Sequence, residues 1–201
     1  MGRNKIIYCG AFIIILVILI YSLQGEESPE AYKQRIEKER DEQDSFMRNN
    51  SESPFKENDI TFKGLTYFEP DLKYKIKARF DPIKERKIRK LATSDNKEQE
   101  YLEYGYTTFA IDDEEQKLLI LENVQENILF LAFGDATSAD ETYGAGRYLD
   151  VTHSGGNSIM LDFNMAYNPY CAYSSEYSCP LPPRENLLDV AIRAGEKNYE
   201  H

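Results

Sequence analysis

A mainly β domain of the α+β kind is the fold this sequence predicts: an antiparallel barrel, roll or sandwich of about six to eight strands, preceded by a transmembrane helix and a charged stalk helix. Three observations predict it. An uncharged apolar run opens the chain, a densely charged segment with helical spacing follows, and from about Phe55 onward apolar and polar residues alternate with period two between short connections. The 201 residues suit one globular domain plus appendages. The expected divisions are an anchor (or uncleaved signal) over residues 1–25, a charged helix and linker over 26–54, and a β-rich domain over 55–201.

The opening run sets location. Ile6 to Leu23 spans 18 residues without a charge, and Ala11 to Ile20 is wholly apolar. At about 1.5 Å per residue such a helix covers about 27 Å, close to the roughly 30 Å hydrocarbon core of a bilayer. Tyr8 and Tyr21 fall near its ends, where amphipathic rings favour the headgroups. Arg3 and Lys5 precede it and Glu26 and Glu27 follow, so the N-terminus is expected in the cytoplasm and everything after Gly25 on the extracytoplasmic, periplasmic side. A cleaved secretory signal has the same basic and apolar regions, but no small-residue pair of the A-x-A kind lies around Tyr21–Gly25. Cys9 comes too early, behind bulky Tyr8, for a lipidated anchor. Anchor and signal alike export the domain.

Charge narrows the partners. With 24 Lys and Arg against 35 Asp and Glu the chain carries −11, and the exported part is more acidic still because residues 1–25 hold two bases and no acid. Nucleic acid is therefore not an expected partner. Two histidines and three cysteines leave little material for a metal site or a dense disulfide scaffold, so no metal and no cofactor are expected.

Ser28-Pro29-Glu30 reads as a helix start, with Ser28 as N-cap and Pro29 at the first helical position. The helix should run to about Met47, with Lys33–Glu37, Arg35–Glu39 and Lys38–Glu42 four apart on its wet side. Tyr32, Ile36 and Phe46 are its apolar docking residues, and Asn49–Pro54 breaks it. It serves either as a solvated stalk or as a helix lying over the body.

Beyond Phe55, Tyr74, Ile76, Ala78 and Phe80 alternate with Lys75, Lys77 and Arg79, as in a strand with one buried face. Tyr101–Ile111 and Gln116–Leu121 form strands around a turn at Asp112-Asp113, and Ile128–Phe133, apolar on both faces, should be central. Arg147–Val151 and Ser158–Phe163 flank a glycine-bearing segment, His153–Asn157, expected to close a hairpin. Glu185–Ala194 could form a short helix capped by Gly195. Between Lys73 and Lys90 nine basic residues face only Asp81 and Glu85; a wet sheet face balanced by cross-strand acids such as Glu100 and Glu103 accounts for them more simply than an anion site does.

The last third carries the candidate chemistry. Gly144 and Gly146 permit tight backbone beside Arg147, whose planar fork suits a carboxylate or phosphate, or else a structural pairing with Asp135 or Asp162. Asp162 and Asn164 would point to one face of a strand, ahead of a Pro- and Tyr-rich loop. Cys171 and Cys179, an isolated close pair in an exported domain, read as a disulfide contributing about 2.5 kcal/mol on the chain-entropy account.

Phe62-Lys63-Gly64-Leu65, Asp135-Ala136-Thr137, Glu141 through Leu149, Leu161-Asp162-Phe163-Asn164, Asn168 through Tyr173, Cys179-Pro180-Leu181-Pro182-Pro183 and Ala194-Gly195-Glu196-Lys197 occur in this order. In them the chain resembles the domain of unknown function 1684 family of bacteria and archaea, over roughly Tyr32 to Lys197. That resemblance implies domain extent and no reaction. The expected function is a membrane-anchored, extracytoplasmic β domain of the cell envelope that binds a small anionic ligand or an envelope partner. Its ligand-binding side chains would be Arg147, Asp162, Asn164, Tyr143, Tyr167 and Asn168. The alternative is a hydrolase in which Asp162 or Glu185 serves as general acid or base and Arg147 steadies developing negative charge.

Overall fold

The computed structural model describes residues 27–200, so the membrane segment expected over residues 6–23 lies outside the described residues. Among the described residues no helix is long and apolar enough to cross a membrane. The described residues fall into two units, 27–35 and 36–200.

Helix α1 (Pro29–Asn49) begins in the first unit. The Ala31 N–H donates to Ser28 Oγ at 3.2 Å, which is the N-cap the sequence implied. Arg35 Nε bonds Glu27 Oε1 at 3.0 Å, and its guanidinium lies 5.1 Å from the Tyr32 ring centre. In the second unit the remainder of α1 lies over the β body. Ile36 and Met47 are buried, and Asp44 accepts the Leu65 N–H at 2.9 Å. Lys38–Glu42 and Arg48–Asp44 pair four apart on the wet side. Ser53 then caps a four-residue helix, α2 (Pro54–Glu57), which ends the run as the Asn49–Pro54 breaker implied.

Seven antiparallel strands follow: β1 (Lys75–Pro82), β2 (Ile88–Ala92), β3 (Glu98–Ile111), β4 (Glu114–Asn123), β5 (Ile128–Phe133), β6 (Arg147–Val151) and β7 (Ser158–Asp162). They form one curved half-barrel sheet in the order β6-β5-β4-β3-β1-β7, and β2 pairs with the first part of the long β3. Asp112 and Asp113 both take positive φ, 52° and 65°, giving the two-residue turn that suits a right-twisted hairpin between β3 and β4. The double-sided hydrophobicity of β4 and β5 has a direct cause. Leu118, Ile120, Leu131 and Phe133 enter the inner core, while Leu119, Leu121, Phe130 and Ala132 pack in a second cluster on the outer face. β5 accordingly sits inside the sheet, between β4 and β6.

Two expectations are corrected. β6 and β7 are not a hairpin: β6 pairs with β5 and β7 with β1, at opposite ends of the sheet order. The connection through Gly155 and Gly156 carries the chain from one sheet edge to the other. Just after β7, Tyr167 exchanges backbone hydrogen bonds with Tyr148 of β6 at 2.8 and 2.9 Å, so the chain curls back onto that first edge. The residues after Glu185 also form no helix beyond the single 3₁₀ turn Arg184–Asn186. Their backbone groups instead bond outward, Leu188 N–H to Gly134 O and Glu196 N–H to Ala166 O, each at 2.8 Å. Such tertiary bonds replace the i to i−4 ladder a helix would need.

The basic stretch is a wet sheet face. Lys90 reaches Glu98 and Glu100, Arg89 bonds Glu103 and Glu185, Arg86 bonds Glu122 and Lys73 bonds Asp112. For Arg86, Arg89 and Lys90 the acids Glu98, Glu100, Glu103 and Glu122 of β3 and β4 are the cross-strand partners that the simpler reading expects.

Candidate functional site

Alternation on β6 sends Arg147, Leu149 and Val151 inward and leaves Tyr148 and Asp150 on the other side. Arg147 is only 1% exposed. Its Nη2 donates to Asp135 Oδ2 and to Ile192 O, each at 2.8 Å, and its Nη1 donates to Ala194 O and Glu196 O. Glycines shape this ring of acceptors. Gly146 has φ +91°, and a Cβ there would stand 2.6 Å from Phe133 O; Gly195 has φ +77°, and a Cβ there would stand 2.5 Å from Ala166 O. Asp135 is tied down in turn by the Thr137 N–H, the Thr137 hydroxyl and the Ile192 N–H. Burial pulls the guanidinium pKa below its ordinary value while Asp135 opposes the shift. The fork expected to grip an external anion is therefore corrected to an internal tie that gathers the C-terminal segment onto β6.

Beside it lies Glu196, also 1% exposed. It accepts from the Asn168 N–H (3.0 Å), Asn168 Nδ2 (2.8 Å) and the Tyr173 hydroxyl (2.6 Å). Desolvation nevertheless raises its carboxyl to about 7, against those donors and the field of Arg147. Asn168, expected as a ligand contact, is wholly enclosed here.

The other expected residues are distributed around the body. Asp162 caps the 3₁₀ turn Phe163–Met165, with its Oδ1 accepting from the Asn164 N–H and Nδ2. Glu185 is bonded by Arg89 at 2.7 Å. Asp162, Glu185 and Arg147 thus engage three different sets of partners, and no acid–base pair assembles from them. The Tyr143 hydroxyl donates to Cys171 O at 3.4 Å and to its Sγ at 3.7 Å.

Cys171 and Cys179 lie side by side with no sulfur–sulfur bond between them, so the expected disulfide finds no support in this arrangement. Each sulfur is held by hydrogen bonds in place of a covalent partner. Cys179 Sγ accepts the Cys171 N–H at 3.1 Å, and hydrogen bonds from Cys179, Tyr143 and Ser94 lower the Cys171 thiol to about 6 against its burial. The same thiol–thiol bond, with burial, pushes Cys179 well up.

Two of the expected residues, Asn164 and Tyr167, do meet in a cavity of about 500 Å³. Its other walls are Glu39, Arg40 and Gln43 of α1, Tyr67, Leu149 and Asp150 of β6, and Met165, Ala166 and Tyr170. The α1 wall is held by its own arginine. Arg40 Nη1 donates to Phe68 O at 2.8 Å, Nη2 donates to Asn164 O at 3.1 Å, and the guanidinium stacks 4.5 Å from the Tyr67 ring centre. Asn164 is locked beneath: its Oδ1 accepts the Asp71 N–H and its Nδ2 donates to Asp71 O. The Tyr167 hydroxyl donates to Asp150 Oδ1 at 2.9 Å. Desolvation raises the Asp150 carboxyl, with that hydrogen bond opposing, and burial raises the phenols of Tyr67, Tyr167 and Tyr170 so that they remain donors. The helix contribution was readable in one respect: Ile36, Arg40, Gln43 and Met47 recur on one helical face, the pattern of a docked side. Nothing in the sequence marked Tyr67 or Asp150.

Comparison with known proteins adds kinship without chemistry. No curated protein matches the chain. A solved structure matches along most of its length: an uncharacterized protein of Haloarcula marismortui, determined by solution NMR, is 36% identical, with 86% of this chain and 97% of that one covered and a TM-score of 0.64. The family profile described as "Protein of unknown function (DUF1684)" matches residues 60–197, a span that takes in Tyr67, Arg147, Asp150 and the whole half-barrel. With more than half its length matched and that relative at this identity, the chain belongs to the DUF1684 family.

Proposed function

We propose that this protein is a membrane-tethered, extracytoplasmic binding domain, and that its small-molecule ligand occupies the cavity between the second half of α1 and the Tyr167–Tyr170 segment. The observation that carries the reading is the cavity itself. At about 500 Å³ it lies within the range of small-ligand sites, and it combines aromatic and aliphatic walls with a few fixed polar groups. Those groups are pre-positioned, because Arg40 and Asn164 bond backbone carbonyls and amides and Tyr167 is tied to Asp150. The reading is non-catalytic, since Asp162 and Glu185 are bonded elsewhere by Asn164 and Arg89. The tether rests on the uncharged apolar run of residues 6–23 and the basic residues before it.

The full-length protein, melted against a panel of cationic, neutral and anionic metabolites, should gain melting temperature with at least one member, because a ligand that binds only the native state stabilises it. That gain should vanish in Tyr170→Ala. Stabilisation indifferent to Tyr170→Ala and Tyr167→Ala would reject the cavity as the site. Carbonate washing of membranes should leave the chain in the pellet, and its release would reject the tether.

A further inference from the structure

We infer that the ligand of this cavity carries a cationic nitrogen, an amine or a quaternary ammonium group; this rests on the cavity being the binding site. The first argument is the sign of the walls. Two carboxylates, Glu39 and Asp150, line the space, and the one cation beside them, Arg40, already donates to two backbone carbonyls and stacks on Tyr67. An anion entering here would meet two like charges and compete with the Phe68 and Asn164 carbonyls for the guanidinium. A cation would meet two acceptors of opposite charge. The second argument is aromatic. Tyr167 and Tyr170 line the same cavity as Asp150, and cations desolvated against aromatic rings are attracted by the ring quadrupole. The third is electrostatic supply: Asp150 opens to solvent, yet its carboxyl is raised by the surrounding protein, so its charged form lacks compensation that a bound cation would provide. The arginine once expected to read an anion, Arg147, is sealed in the core and reaches none of this.

The probes are choline, its uncharged isostere 3,3-dimethylbutan-1-ol, and acetate, titrated calorimetrically into the full-length protein at constant ionic strength. Choline should bind at least about tenfold more tightly than the isostere, a preference on the scale of a desolvated cation–aromatic contact, and acetate should not bind. Asp150→Asn and Glu39→Gln should each weaken choline several-fold while leaving the melting temperature of the free protein within a degree or two. Tyr167→Phe, which keeps the ring, should retain most of the affinity. Equal binding of choline and isostere, both lost in Tyr170→Ala, would overturn the cationic assignment and leave the cavity standing. Choline binding unchanged by Tyr170→Ala would remove the cavity as the site. Failure of all three probes to bind would overturn the cationic assignment.

Discussion

Arg147 and Asp150 stand three residues apart on β6 and have opposite fates. Strand alternation turns Arg147 into the half-barrel, where a carboxylate and three carbonyls surround it, and turns Asp150 outward to a cavity wall with a single tyrosine hydroxyl as its bonded partner. A buried charge whose two terminal nitrogens are bonded within the chain, and which solvent does not reach, is closed to a ligand. A charge at a cavity wall with incomplete compensation can take one. The difference teaches that the residue best suited by type to grip an anion is an internal tie in this fold, and that the group left facing the cavity is its less conspicuous neighbour.

The largest effect that could break this comparison comes from the sealed side. Arg147→Met leaves Asp135 charged and buried beside orphaned carbonyls, so it should cost about 3–5 kcal/mol by denaturant unfolding. Arg147→Met with Asp135→Leu should recover a good part of that. A loss below about 1 kcal/mol in the single variant would show that the tie is not structural. Next is the pH dependence set by Glu196. Its folded pKa, about 7, lies above the ordinary 4.5, so the native state holds a proton that the unfolded chain has already released. Stability should therefore fall as pH rises from about 4.5 to 7, by up to about 3 kcal/mol, and flatten above. Glu196→Gln should erase most of that slope, and an unchanged slope would assign it to other groups.

On the open side the expected effects on stability are small. Asp150→Asn should change unfolding free energy by no more than about 0.5 kcal/mol at pH 7, since a solvent-facing carboxylate that gains little from its surroundings loses little when neutralised. A loss rivalling that of Arg147→Met would erase the contrast between the two positions. The smallest effect is chemical. Iodoacetamide should label Cys171 ahead of Cys179, at a rate that rises through about pH 6 and then levels, because the thiolate is the nucleophile and the Cys171 thiol lies near 6. An intact mass two hydrogens light, with neither sulfur labelled, would restore the crosslink.

Much of the scaffold was legible locally. The Ser28 cap, the Asp112-Asp113 turn, the alternation of β1 and the double-sided β5 each follow from a few adjacent residues whose φ preference or apolar period admits one conformation. Of the site, Asn164 and Tyr167 were legible because polar and aromatic residues gathered beside Asp162 on a loop following a strand. Glu39, Arg40 and Gln43 lie in a charged helix whose sequence fits a solvated stalk as well as a helix over the body, and Tyr67 and Asp150 stand just past the runs Phe62–Leu65 and Glu141–Leu149 without a signal of their own. By itself the sequence determined periodicity, turn chemistry, charge balance and family membership, all of which are carried by neighbours along the chain. Only the tertiary structure decided that β7 joins β1 rather than β6, that Arg147 meets Asp135 and the carbonyls of residues 192–196, and that α1 supplies a cavity wall. The physical reason is that a side chain's role depends on which partners reach it, and those partners arrive from positions far away in the chain.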